Sequence, residues 1–326
     1  MPPHEEIMNY LSAMAALACA ILLAASTRAQ AHGFEGDRFF PPTVSTDDPF
    51  ATDEYSVTFQ EFNNPSGSDG TPMTHEIDVS SEFDKEIFPK FAVGVAGTYI
   101  NLDPSNHQGP AQDGFDNVEL SAKYQLWESA EHEWILSLGG EVDLGDTGSK
   151  ALGVDSFTTY TPTVYFGKGF GDLPDSLAPL KPFALTGTVG VAIPGQSQNQ
   201  DGSYNSDTLQ LGFALEYSLP YLEQHVKDIG LPRPFKDMIP LVEFTSSSPF
   251  DRAGAPTTGT VCPGILWEQP DFQLGAEALI PINGHTGPNV GFVFQVQFFI
   301  DDLFPKVFGH PVFGRDEDSN VRAAQP

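Results

Sequence analysis

The chain has 326 residues and a formal net charge of −29, from 15 Lys and Arg against 44 Asp and Glu. That balance excludes a nucleic-acid binder and a peripheral protein on an anionic membrane surface, since both need a surplus of Lys and Arg at the contact. The 26 Phe, 9 Tyr and 3 Trp exclude a disordered acidic chain, and 31 Gly with 28 Pro exclude a long helical one; what remains is an all-β protein with many turns.

Residues 11–25 form an uncharged apolar run, too short to span a bilayer as a helix, and Ala29-Gln30-Ala31 follows as a small-x-small triplet. This predicts a secretory signal peptide over 1–31 and a mature chain beginning at His32. Glu5 and Glu6 stand where a basic flank is usual, and a start at Met8 would remove them. Cys19 follows Ala16-Leu17-Ala18 inside the apolar run, which argues against lipidation, and Cys262 is then a single thiol with no disulfide framework. Beyond residue 31 no stretch of about 18 apolar residues occurs, so an exported chain of this kind is either soluble or a membrane β-barrel. Residues 32–53 contain Pro41, Pro42, Asp47, Asp48 and Pro49 without a strand pattern, and are expected to be a periplasmic N-terminal tail.

Twelve segments then read as strands: 54–62, 73–83, 89–101, 117–126, 133–143, 156–167, 182–193, 208–219, 238–247, 259–268, 271–282 and 289–300. The alternation is clearest in 117–126, where Val118, Leu120, Ala122, Tyr124 and Leu126 interleave with Asn117, Glu119, Ser121, Lys123 and Gln125. Segments 54–62 and 259–268 are marginal, so the expected count is about 12, within 10–14. The connections fall into two populations. Those at 63–72, 102–116, 144–155, 194–207, 248–258 and 283–288 are rich in Gly, Ser, Asn and Asp, as long extracellular loops would be. Those at 84–88, 127–132, 168–181, 219–237 and 269–270 are mostly shorter and differ in composition. Within 219–237, Leu222, Val226 and Ile229 have helical spacing and Gly230 and Pro232 end it, which predicts a short helix at the periplasmic rim. Residues 301–326 are expected to be a C-terminal periplasmic tail.

In a soluble β-sandwich the apolar face points to a core; in a membrane barrel it meets lipid and the polar face lines the lumen. Aromatic residues near the strand ends (Tyr55, Phe83, Tyr99, Trp127, Trp134, Tyr217, Trp267, Phe272 and Phe298) suit interfacial girdles, and Gly94, Gly139, Gly190, Gly212, Gly275 and Gly291 on the opposite face suit a crowded interior. The expected fold is therefore an all-β, transmembrane antiparallel β-barrel with up-and-down connectivity over 54–300. Its inward set holds Glu54, Glu76, Asp78, Glu82, Glu119, Glu133, Glu141, Asp143, Glu216, Glu243, Glu268 and Glu277, against Lys123 as the one base. Charged rings set ion preference, so such a lumen favours cations or neutral solutes. The deeper residues Glu119, Lys123, Glu141, Glu216, Glu243 and Glu277 are the selectivity candidates, with Lys123 expected to pair with Glu119 or Glu141.

The opening HGFEGDRFFPPTVSTDDPF (32–50) and the closing GFVFQVQFFIDDLFP (291–305) resemble a group of proteobacterial outer-membrane proteins, the transporter-like family linked to the meta-pathway of phenol degradation. The resemblance implies an outer-membrane barrel of a Gram-negative bacterium with a role in solute uptake, and it supplies no catalytic residue. One departure is that Phe299 lies 27 residues before the end, where many barrels end the chain in an aromatic residue.

No GxSxG, HExxH, CxxC or Walker-type loop occurs, and Gly167-Lys168-Gly169-Phe170-Gly171 has the spacing of a turn. The histidines are scattered; His32 could chelate copper only with a second ligand, and His107 and His285 fall in loops. No enzyme activity, cofactor or metal is expected. The partners expected are a small-molecule solute and the lipid bilayer, and the sequence leaves the oligomeric state open. A soluble exported β-sandwich that binds a ligand and a non-conducting surface barrel are the alternatives to a channel.

Overall fold

A computed structural model describes residues 33–66, 73–104, 110–199, 202–251 and 256–314. The expected signal peptide and the last twelve residues lie outside the described residues, as do parts of four of the Gly- and Ser-rich connections. A minimal hairpin comes first, β1 (Phe34–Glu35) with β2 (Arg38–Phe39). The long strands follow as β3 (Glu54–Asn64), β4 (Thr74–Phe88), β5 (Phe91–Pro104), β7 (Val118–Ser129), β8 (Trp134–Leu144), β9 (Thr159–Gly169), β10 (Phe183–Pro194), β11 (Thr208–Tyr217), β12 (Met238–Pro249), β13 (Thr258–Glu268), β14 (Phe272–Pro281) and β15 (Gly291–Phe299). A short β6 (Gln112–Phe115), not expected from the sequence, extends the edge of β5.

Each long strand pairs antiparallel with its chain neighbour, and β15 closes on β3 from Phe292 opposite Glu61 to Phe299 opposite Glu54. The result is a closed twelve-strand up-and-down barrel, and every expected segment coincides with one of its strands. Closure satisfies all strand edges, which a chain crossing hydrocarbon requires.

The two faces are inverted relative to a soluble protein. Val95, Leu120, Tyr124, Leu138, Leu215, Val242, Ile265 and Phe292 are exposed on the outside, while Ser137, Thr186, Glu216, Glu243, Gln273, Glu277 and Gln297 are buried within. A β-sandwich would do the reverse, so that alternative does not describe this fold. At the end of the barrel where both chain termini enter, outward aromatics pair across strands: Tyr55 with Phe298, Phe183 with Tyr217, and Trp267 with Phe272, at 6.2, 4.7 and 5.8 Å between ring centres. Such pairs form an interfacial girdle. A bulge between Gln125 and Trp127 breaks the alternation in β7 and leaves Leu126 and Trp127 both exposed.

The longest connection at this terminal end begins with a helical turn Leu219–Tyr221 that continues as a wider turn Leu222–Val226, capped by the Ser218 hydroxyl on the Tyr221 N–H. It stops earlier than the spacing suggests: Lys227 is extended, and Ile229 is exposed beyond it.

Residues 33–53 lie inside the barrel, where a tail outside it was expected. Phe39 packs on Ile239, Leu241, Leu266 and Phe299, and Phe40 and Phe50 pack on Ile135 and Ala184. Those partners all belong to the inward face at the terminal end. Left open, this apolar belt would line a water-filled lumen; covered, each buried Phe gains about 2 kcal/mol. Residues 301–314, part of the expected C-terminal periplasmic tail, are seated on the barrel through backbone hydrogen bonds of Val312 and Phe313 to β4.

Candidate functional site: the lumen and its inserted segment

At the terminal rim Arg38 is fully buried and holds the inserted segment in place. Its Nε lies 3.3 Å from Glu133 Oε2, Nη1 donates to the Pro182 carbonyl at 3.1 Å, Nη2 donates to the Lys181 carbonyl, and the guanidinium stacks 3.7 Å from the Tyr221 ring centre. Glu133 also accepts the Tyr221 hydroxyl at 2.7 Å and the Gly171 N–H at 2.9 Å. Its φ of 46° puts it in the left-handed region, a conformation costing about 1–2 kcal/mol for a residue with a Cβ, and these contacts sustain it.

Further along, the segment crosses the lumen at mid-height. Glu243 Oε1 accepts the Val44 N–H at 2.7 Å and the Ser45 N–H at 3.1 Å, while Oε2 accepts the Thr46 hydroxyl at 2.7 Å. Glu277 Oε2 accepts the Ser45 hydroxyl at 2.7 Å, and Gln273 Nε2 donates to the Pro42 carbonyl at 2.7 Å. Two glycines make room for this crossing. A Cβ on Gly212 would meet Thr46 Cγ2 at 2.6 Å, and one on Gly275 would meet Val44 Cγ2 at 2.5 Å. Gly212 and Gly275 are thus the imprint of the segment on the inward face.

On the opposite wall, Asp47 reaches the Lys123 Nζ at 2.8 Å, and the same ammonium donates to the Asp48 carbonyl at 2.7 Å and sits 4.8 Å from the Tyr165 ring centre. Lys123 therefore pairs with the inserted segment instead of with Glu119 or Glu141. An acid that no strand carries is closer than either same-face neighbour. Ala51 N–H donates to Gln125 Oε1 at 3.0 Å, and the Ser137 hydroxyl donates to the Pro49 carbonyl. Asp48 Oδ1 accepts the Phe50 N–H at 2.7 Å, and burial pushes its carboxyl up to about 6 against the opposing pull of Lys123.

Above the segment, toward the loop end, lies a cavity of about 900 Å³. One wall, from β3, β4, β7 and β8, presents Glu54, Glu82, Asp84, Glu119, Lys123 and Glu141. The facing wall, from β10 to β15, presents Thr188, Gln210, Thr245, Ser247, Thr260, Gln295 and Gln297 and carries no charge among these groups. Asp84 accepts the Ser121 hydroxyl at 3.5 Å; among the described residues no hydrogen bond or ion pair reaches the carboxylates of Glu82, Glu119 and Glu141.

The six candidates consequently divide. Glu119, Lys123 and Glu141 line the cavity, whereas Glu216, Glu243 and Glu277 are buried below it, at 1, 0 and 4 % exposure. Sequence reasoning missed Arg38, Asp47 and Asp48 as site residues. The signal for them was the apolar residues Ile239, Leu241, Leu266 and Phe299 on faces that a water-filled lumen would make polar. Among the described residues no group of three or more His, Cys, Asp or Glu is arranged to hold a metal ion.

No protein-family model and no curated protein sequence matches the chain. Solved structures do. An outer membrane channel from Pseudomonas putida F1 is similar at a TM-score of 0.54 and 10 % identity, over 79 % of this chain and 99 % of that one. The NanC porin (TM-score 0.45, 10 % identity, 75 % and 98 % covered) and the KdgM porin in complex with disordered oligogalacturonate (0.42, 10 %, 74 % and 98 %) are further examples. What this likeness carries to the present chain is the fold, an antiparallel β-barrel of the outer-membrane kind.

Proposed function

We propose that the protein is an outer-membrane channel for uptake of small solutes, cationic or neutral, with residues 33–53 as its internal constriction. The loop end faces the outside of the cell and the terminal end the periplasm, following the usual asymmetry of long outer loops and short inner turns. The observation that carries the reading is the acidic wall of the cavity. Among the described residues Glu82, Glu119 and Glu141 have no protein donor, and the neighbouring cation Lys123 is engaged by Asp47. A cation or a hydrogen-bond donor entering from the loop end finds carboxylates with free acceptor capacity on one side and hydroxyl and amide groups on the other. The further assignment to the transporter-like group linked to the meta-pathway of phenol degradation is part of this proposal. Its support is the sequence resemblance over 32–50 and 291–305, and the first of these stretches is the inserted segment. No catalytic role is assigned.

Planar-bilayer recording tests the reading. The expected result is a cation-preferring pore, with Glu119→Gln and Glu141→Gln each moving the reversal potential toward zero. An anion-selective pore overturns the lumen assignment. Absence of conductance, persisting in a variant whose inserted segment has been released, would instead favour a structural barrel.

A further inference from the structure

After β15 the chain makes one helical turn, Ile300–Leu303, and folds back along the outside of β4. Phe308 meets Phe83 edge-on at 6.1 Å between ring centres, and Phe313 leans on Phe88 at 5.5 Å. The Val312 and Phe313 N–H groups donate to the carbonyls of Glu86 and Ile87 at 3.2 and 2.8 Å. Lys85 Nζ donates to the His310 carbonyl at 3.0 Å. The segment is therefore a strap clamped to the terminal rim of the barrel.

Its composition is the reverse of the chain around it. Residues 303–314 read LFPKVFGHPVFG, with no Asp or Glu in a protein that has 44, and with Lys306 as the charged residue. Phe304, Val307, Val312 and Phe313 are 50, 62, 50 and 58 % exposed. Large apolar side chains grouped in this way mark a contact with lipid or protein, since water disfavours them. Three observations select lipid. Phe83, on which the strap sits, is paired in register with Tyr55 of the outward aromatic girdle, so the strap continues a surface that already faces the bilayer. Acids are absent, which suits a phosphate-bearing surface. Lys306 is exposed at the same rim, where ammonium groups meet lipid phosphates.

We propose that residues 303–314 form an interfacial strap embedded in the headgroup region of the phospholipid leaflet at the terminal end of the barrel. The strap widens the aromatic girdle beside β3–β5 and takes phospholipid as its partner. The inference rests on the barrel spanning a membrane, and the test separates the two. The full-length barrel, with Cys19→Ser and Cys262→Ser, is reconstituted in phosphatidylethanolamine–phosphatidylglycerol vesicles after heat-modifiable migration confirms folding. Nitroxide labels are placed at Val307→Cys and, independently, at Val312→Cys; both positions are exposed and tolerate a label. Val95→Cys on the outer strand face and Ser197→Cys in a loop serve as references.

At both strap positions the expected result is more relaxation by oxygen and less by a water-soluble nickel chelate than at Ser197, with values between those of Ser197 and Val95, as for a label at the headgroup level. Relaxation dominated by a water-soluble nickel chelate, as at Ser197, overturns the strap while leaving the barrel reading intact. Nickel-dominated relaxation at Val95 as well overturns the barrel reading itself. Spin–spin broadening that disappears on dilution with unlabelled protein would show a second copy on the strap, and it too contradicts a lipid contact.

Discussion

On β12 and β14 the carboxylates of Glu243 and Glu277 are engaged by the backbone and hydroxyls of residues 44–46, whereas across the lumen those of Glu82, Glu119 and Glu141 face open cavity. Residue type and inward orientation are the same on both walls. What differs is occupancy: Glu243 and Glu277 meet an inserted chain whose N–H and O–H groups need acceptors, whereas on the other wall the segment's contacts go to Lys123, Gln125 and Ser137 and leave the three carboxylates facing the cavity. On the proposed channel reading, charge on a lumen face has two distinct uses, holding a segment and presenting a field to solutes. Neutralising substitutions should separate them.

The largest effect is expected at the rim. Arg38→Ala leaves Glu133 buried without its cation, and removal of one partner from a buried pair costs about 3–5 kcal/mol. Because the latch joins the segment to the wall rather than strand to strand, the loss should appear as release of residues 33–53. Larger conductance and faster proteolysis before residue 53, with heat-modifiable migration retained, would show it. Glu243→Gln comes next. It removes a charge-assisted acceptor of three donors, for which about 2 kcal/mol is expected, and loosens the segment without altering ion preference. Gly275→Ala ranks third, because a Cβ there collides with Val44 and overpacking costs about 1–3 kcal/mol; its check is the same proteolysis assay.

The smallest effect concerns pH. Seated, Asp48 keeps its proton up to about 6, while a released segment would titrate near the ordinary 3.8. The raised value means that this group's contribution to seating is fully present below 3.8 and is lost as pH rises through 6. Between those limits, release of the wild-type segment should become easier with rising pH. Asp48→Asn should flatten that slope by less than the limit of about 1.4 kcal/mol per pH unit for one proton. Proteolysis rates of the two proteins across this range provide the comparison.

The barrel was legible in the sequence because period-two alternation is enforced twice, by lipid outside and by polar contents inside. Even marginal segments such as 259–268 are strands, with Pro263 on the outward face of β13. The occupant of the lumen was not legible. Residues 33–53 have no periodicity, and their contacts are long-range: Asp47 to Lys123, Arg38 to Glu133, Thr46 to Glu243. Alternation reports which way a side chain points, not what it meets. Two local clues were nevertheless present, the apolar residues Ile239 and Leu241 on a lumen face and the glycines at 212 and 275. The strap was hidden for the same reason. Beyond the last alternating strand the sequence has no period to reveal a docked segment, although 303–314 lacks acids and carries three Phe residues.

The most direct test of the division between the two walls is the reversal potential under a potassium chloride gradient, measured for the wild type, Glu141→Gln and Glu277→Gln. The expected result is that Glu141→Gln lowers cation preference at unchanged conductance state, while Glu277→Gln preserves cation preference and alters only the occupancy of the open state. Equal loss of selectivity in both variants, or loss in Glu277→Gln alone, would contradict the account.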